Sequence, residues 1–318
     1  MVLETKVIAV TGADGFIGSA YCRHIDERGG RVRKLVRHRQ SQRGDVIALD
    51  LARAPSEELE RAFDGVHALV HLAGRAHVMN ERNRDADATY RAANVEVTER
   101  VALAAIASGV RRFVLASTIK VNGEMTLRGK PFKSGDAPAP QDAYARSKLA
   151  AERTLAQVAG NTSMIGTSLR LPLVYGLNAR GNFRRLVDAV AARRPLPFGA
   201  IDNRRSLLSL DNLMDAFDAV IDGPHAPIGT HLVADADSVS TPTLVRAIAS
   251  ALGVAPRLLA VPVPILRLAG ALSGKHAAIA RLTQSLEVDV SSFSRATGWQ
   301  PRPFAIDRSC VADAARDL

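Results

Sequence analysis

The stretch "DAPAPQDAYARSK" places Tyr144 four positions before Lys148, in a chain with only four tyrosines. On a helix that spacing puts the phenol and the ammonium on one face. A free phenol titrates at about 10 and is a poor base at neutral pH. A lysine cation beside it favours the phenolate and brings the group into the range where it can move a proton. A third partner must bond the oxygen that gains or loses that proton. The run "RRFVLAST" offers Ser117 and Thr118 at the end of an apolar strand, where open α/β sheets place their ligands. The chemistry such a set suits is redox exchange between an alcohol and a ketone.

Redox of that kind needs a hydride carrier. "VTGADGFIGSA" sets Gly12, Gly15 and Gly18 three apart between the strand "KVIAVTG" and a helix opening at Phe16 and Ile17. Gly12 allows a tight turn, Gly15 lets backbone approach a pyrophosphate, and Gly18 lets helix pack closely on strand. The second strand ends "LVRHR", with Arg37 and Arg39 where a ribose-binding carboxylate would stand. An acid there would repel a 2′-phosphate, so NADP(H) is favoured over NAD, with Arg37 as the phosphate contact. Asp50, ending the third strand beside Leu51, is an acceptor for the adenine amino group.

These residues need a frame, and the first half supplies one by alternation. "RVRKLVR", "DVIALDL" and "HALVHLAG" read as strands, "SEELERAF" as a helix, Thr89–Ser108 as a longer helix and "MIGTSLRLPLVYG" as one further strand. Apolar runs alternating with helices predict an α/β fold, a doubly wound parallel Rossmann sheet buried on both faces. After Pro172 that rhythm breaks. Residues 1–171 plus about 206–235 read as the dinucleotide-binding domain. Residues 172–205 plus 236–318 read as a smaller, mixed α/β substrate lobe.

Composition narrows the partners. The 318 residues are 47% hydrophobic and carry a formal net charge of +10, which favours anionic ligands. Aromatics are only 4%, too few for base-stacking platforms, so nucleic acid is not expected. Cys22 and Cys310 form no metal-ligand or disulfide pattern, which suits a reducing cytoplasm. "LLAVPVPILRLAGALSG" is interrupted by prolines and Arg267 and falls short of a membrane span.

Taken together the motifs resemble the extended short-chain dehydrogenase/reductase family over nearly the whole chain. "TGADGFIG" is similar to its cofactor loop, "HLAG" at 71–74 to the turn after its fourth strand, Asn94 to its helix asparagine, and "YARSK" to its Tyr-x-x-x-Lys. The resemblance implies Tyr144 as general acid/base and Lys148 on the nicotinamide ribose. It also implies Thr118 rather than Ser117 as the hydroxyl, with Ala73 on the cofactor and Arg75 on the substrate.

The second half resembles the nucleotide-sugar members. "GNFRRL" implies Asn182 and Phe183 at the nucleotide, and "NRRSLLSLDNL" implies Arg205 on the substrate pyrophosphate, with Arg281 as a second phosphate ligand. A planar guanidinium suits a diphosphate. Ile119 and Lys120 occupy the places of the dehydratase Asp-Glu pair, and Leu173 that of an epimerase asparagine. Loss of water is therefore not expected. The resemblance implies hydride transfer at C4 of a UDP-sugar, with 4-ketoreduction placed narrowly ahead of 4-epimerisation, and a homodimer built through the helices near 89–108 and 144–159. Reduction of a non-sugar ketone, or a non-catalytic NADP-sensing protein, are the alternatives. The "TGWQP" near the C-terminus is a structural signature, with Trp299 in the core.

Overall fold

The structure, a computed structural model, describes residues 6–38, 45–75, 85–224, 226–274 and 276–315. The chain begins with β1 (Val7–Thr11), turns through Gly12 at φ 65° and enters α1 (Phe16–Glu27). A side chain is excluded from this turn: a Cβ on Gly18 would lie 2.1 Å from the Gly12 carbonyl oxygen. There follow β2 (Arg31–Val36), β3 (Val46–Ala48), α2 (Ser56–Phe63) and β4 (Val66–His71). Next come α3 (Ala86–Tyr90), α4 (Val97–Ala107), β5 (Arg112–Thr118), α5 (Ala143–Ala159) and β6 (Ile165–Leu171).

Strands separated by helices pair in parallel. The main sheet has the order β3-β2-β1-β4-β5-β6 and is closed by β9 (Gly229–Leu232). The order reverses between β1 and β4, the crevice where doubly wound sheets bind dinucleotides. Alternate strand residues feed opposite cores. Ile8 and Val10 pack with Tyr21, Ile25, Phe217 and Phe293 on one face. Ala9, Phe113 and Leu115 pack with Phe63, Val101 and Leu155 on the other. Burial on both faces is why these strands read as unbroken apolar runs.

Two elements differ from the sequence expectation. "MIGTSLRLPLVYG" is two strands, because Pro172 lacks the N–H a central strand needs. β6 stays in the main sheet, while β7 (Leu173–Tyr175) joins a three-stranded sheet with β8 (Arg205–Ser209) and β10 (Ser238–Val239). The helix expected over 89–108 starts at α3 and passes through a π-helical turn, Arg91–Glu96, before α4. Such turns re-aim a helix face, and this one carries the buried Asn94.

The smaller sheet is backed by α6 (Asn182–Ala191) and α8 (Thr241–Leu252), with Tyr175, Phe183, Leu244 and Ile248 in its core. Of the segment near 206–235, β8 lies in the smaller sheet. α7 (Leu210–Asp222) packs on the main one, and β9 pairs with β6. α9 (Val263–Leu272) and α10 (His276–Thr283) pack together, and α11 (Ser291–Thr297) follows. Trp299 is buried edge-on against Phe293, a core residue rather than a ligand. Among the described residues no helix is long and apolar enough to cross a membrane.

Candidate active site

α5 begins where it does because Asp142 caps it, accepting a hydrogen bond from the Ala145 N–H at 2.7 Å. The cap sets Tyr144 in the first turn and Lys148 one turn on. The Tyr144 phenol hydrogen-bonds Thr118, the last residue of β5, so two of the expected groups meet across 26 positions of sequence. Lys148 is 9% exposed, and its ammonium has no hydrogen-bond partner among the described residues. It lies over the β4 turn, where a Cβ on Gly74 would be 3.8 Å from Nζ.

Burial acts on both groups against their charged forms. The phenol of Tyr144 is pushed up to about 12 by desolvation, partly offset by the Thr118 hydrogen bond. The ammonium of Lys148 is brought down to about 8 by desolvation, with Glu152 opposing. The sequence spacing suggested a lowered phenol. The folded chain instead holds Tyr144 protonated at neutral pH, because the depth of its pocket outweighs its neighbours.

Asn94 ties the surrounding turns together. Its Oδ1 accepts from the Arg75 N–H at 2.8 Å, and its Nδ2 donates to the Ser147 hydroxyl at 2.9 Å. Ser147 in turn donates to the Tyr144 carbonyl. Arg75 sits over the Tyr90 ring, 5.6 Å from its centre, and Tyr90 packs against Tyr144. Arg75 is thus one ring away from the phenol.

Two buried pairings escaped the sequence reading. Ser117 donates to Glu152, whose carboxylate is gripped by Arg170 of β6 at 2.6 Å, and Arg170 also donates to Asn122. This network sits beneath Thr118 and Lys148. The second joins Thr11 and His71 at 2.8 Å, linking the ends of β1 and β4. The Thr11 hydroxyl also accepts from the N–H groups of Leu72 and Ala73, so its proton goes to Nδ1 of a neutral imidazole. Polar residues closing apolar strands were the available signal.

The glycine loop fits a dinucleotide. The N-terminus of α1 has no side-chain cap and no acid in its first turn, which leaves its N–H groups as donors for an anion, with Asp14 just ahead of the cap. Beside it runs a cleft of about 480 Å³ with Arg180 and Arg184 in its lining together with two acids, Asp14 and Asp313. The ammonium of Lys148 has no hydrogen-bond partner among the described residues, so its N–H donors are open to a ligand. Arg37 and His38 follow β2 in the open, with no acid between them and β2; Arg39 lies outside the described residues. Asp50 turns its carboxylate to the Ala52 N–H, and Ile17 and Leu51 direct their side chains into the cores, leaving only backbone for a ligand.

The smaller lobe holds a cation pair. Arg205 opens β8 half-buried, with one hydrogen bond, to the Gln284 carbonyl at 3.1 Å. Desolvation lowers its pKa, with Arg281 adding to the fall and Glu124 opposing it. Asn182 is exposed as the first residue of α6, whose N-terminus is uncapped behind Gly181. Phe183 is core, packed on Tyr175, so only its backbone can meet a nucleotide. Ile119 is buried, and Lys120 is held by Asp142 at 2.7 Å and Glu124 at 3.0 Å. Leu173 packs on the core of the smaller lobe.

Residues 8–234 match the model of the NAD dependent epimerase/dehydratase family. A UDP-glucose 4-epimerase of Vibrio cholerae is 38% identical over 298 residues, 93% of this chain and 91% of that protein. MoeE5, solved in complex with UDP-glucuronic acid and NAD, superposes with a TM-score of 0.76 at 24% identity, over 98% of this chain and 99% of the other. A UDP-glucuronic acid 4-epimerase from Bacillus cereus, solved with NAD, does so at 0.75 and 18% identity, over 98% and 99%.

Proposed function

The chain belongs to the NAD dependent epimerase/dehydratase family, and from that membership we propose that it transfers hydride at C4 of the hexose of a UDP-sugar, acting as a 4-ketoreductase. The observation that carries this reading is the Tyr144–Thr118 hydrogen bond at the end of β5, with Lys148, which has no hydrogen-bond partner among the described residues, one helical turn away. When bound, the nicotinamide dinucleotide supplies the hydride. Gly12, Gly15, Gly18 and the backbone of Phe16 and Ile17 take its pyrophosphate. Lys148 takes the ribose beside the nicotinamide, the Ala73 turn flanks it, and Asp50 with the Leu51 backbone takes the adenine. Arg37 takes a 2′-phosphate.

Thr118 holds the C4 oxygen, and Tyr144 delivers its phenolic proton to that oxygen as the carbon is reduced. A phenol held at about 12 is protonated at neutral pH, the form that donates to a ketone oxygen. Arg37 supports NADP(H), the usual reductant for one-way reductions. Arg205 and Arg281 hold the substrate diphosphate, Asn182 and the Phe183 backbone the nucleotide, and Arg75 the sugar. α4 and α5 form a homodimer, for which Leu103 on α4, 53% exposed, offers an apolar contact. Elimination of water has no acid/base pair in Ile119 and the ion-paired Lys120.

A second reading, 4-epimerisation with retained NAD, is favoured by the 38% identity with the Vibrio cholerae protein. Identifying the cofactor that copurifies, then titrating UDP and NADPH while following thermal stability, tests both. Ligands that bind the folded state raise its melting temperature. Reduction predicts exchangeable NADP(H) and a rise with each ligand. Firmly held NAD⁺ would establish the epimerase, and no response to UDP would remove the UDP-sugar.

A further inference from the structure

α9 is apolar on every side, with Arg267 its single charge. A helix of that composition belongs in a core, yet this one buries only Leu266 and Gly270. Ile265, Leu268 and Leu272 are 56%, 61% and 82% exposed. They are spaced three and four apart and form one outward stripe. Leu259, 51% exposed in the segment leading to α9, adds to it.

The charge along this stretch of the chain has one sign, although Asp188 and Asp202, ion-paired with Arg184 and Arg128, flank the neighbouring 193–199 segment. From Ser238 to Leu286 the chain has no aspartate or glutamate, and all 32 of its acids lie elsewhere. The same stretch contains Arg246, Arg257, Arg267, Lys275 and Arg281. The segment leading to α9 pairs with residues 193–199: Leu196 bridges Leu258, and Arg257 donates to the Arg193 carbonyl at 3.5 Å. Arg193, Arg194, Arg257 and Arg267 are all exposed.

We propose that this face docks on an anionic lipid bilayer, with the leucine stripe at the acyl boundary and the arginines at the phosphates. A contiguous apolar surface rimmed by cations is the pattern of an interfacial helix lying in the membrane plane. The ten residues of α9 are too few to span a bilayer, so the attachment is peripheral. A second copy of the chain fits worse, because a two-fold interface sets a patch against itself and would press these arginines together with no acid from 238–286 to answer them. Docking would also lay the membrane beside α10, which carries Arg281.

The test is co-sedimentation of the full chain with phosphatidylglycerol/phosphatidylcholine vesicles and with phosphatidylcholine alone. The expected result is binding to the anionic vesicles only, weakened by salt. The double variant Leu268→Glu/Leu272→Glu should lower that partition at least about tenfold, with its melting temperature and its response to NADPH unchanged. If the leucine variant does not fold, Arg193→Glu/Arg257→Glu decides in its place, with a loss of similar size. No binding to anionic vesicles, equal binding to neutral ones, or binding that survives both variants overturns the proposal. So does a drop in oligomer mass on Leu268→Glu/Leu272→Glu, which would assign the face to a second copy.

Discussion

At the end of β5 nearly every polar side chain has a buried answer, whereas Arg205 in the smaller lobe is only partly answered. Ser117, Glu152, Arg170 and Asn122 satisfy one another out of contact with water. Thr118 meets Tyr144, and Lys120 is shared by two carboxylates. In the smaller lobe Arg205 has, among the described residues, one hydrogen bond, to a carbonyl, with Glu124 attracting it at a distance and the Arg281 guanidinium repelling it. The first region is satisfied internally before any ligand arrives. The second keeps an unsettled charge that an incoming anion would settle.

That contrast can be broken at its firmest point. Glu152→Gln leaves Arg170 buried without its counter-charge, and breaking such a pair costs about 3–5 kcal/mol. Chemical denaturation should show a loss of that size, and a loss below about 1 kcal/mol would mean the network is not the brace described. Tyr144→Phe keeps the ring and removes the proton, so turnover should fall at least about a hundredfold while dinucleotide affinity holds. Near-normal turnover in that variant would refute the role.

Arg205→Met probes the other side. Affinity for UDP should fall about tenfold as a charge-assisted contact is lost, with NADPH binding unaltered. Because the cation is poorly paired, the ligand-free protein should be no less stable than the parent. A marked loss of stability would make Arg205 a structural ion instead of an anion ligand.

The smallest effect concerns His71. Burial, with Lys148 adding, lowers its imidazole to about 3, below its unfolded value of about 6.5. Between those values the unfolded chain binds a proton that the folded chain refuses, so stability falls as pH drops through the window. His71→Gln should flatten the loss between pH 6 and pH 5 by about 1 kcal/mol. An unchanged slope would mean that His71 takes up its proton without unfolding.

What the sequence made legible was local. The glycine spacing and the Tyr144–Lys148 turn each lie within one turn, and the alternation of apolar strands with helices is read one element at a time. The long-range polar contacts were not legible, because Ser117 and Glu152 or Thr11 and His71 meet only through the sheet. Pro172 marked the change of rhythm. That the chain changes sheets there depends on β8, more than thirty residues on. The direction of the Tyr144 shift depends on burial depth, which spacing does not encode. The side chains of Phe183 and Leu51 fill cores, a placement that the motifs naming them do not encode.

The most direct test of the central claim follows the hydrogen. NADPH carrying deuterium at the transferable nicotinamide position is mixed with the protein and a UDP-4-keto-hexose, and the product is read by NMR. The account predicts deuterium on C4 of the sugar, in proportion to NADPH consumed and lost in Tyr144→Phe. Oxidation of the dinucleotide with no label at C4, or labelling that persists without the phenol, would contradict it.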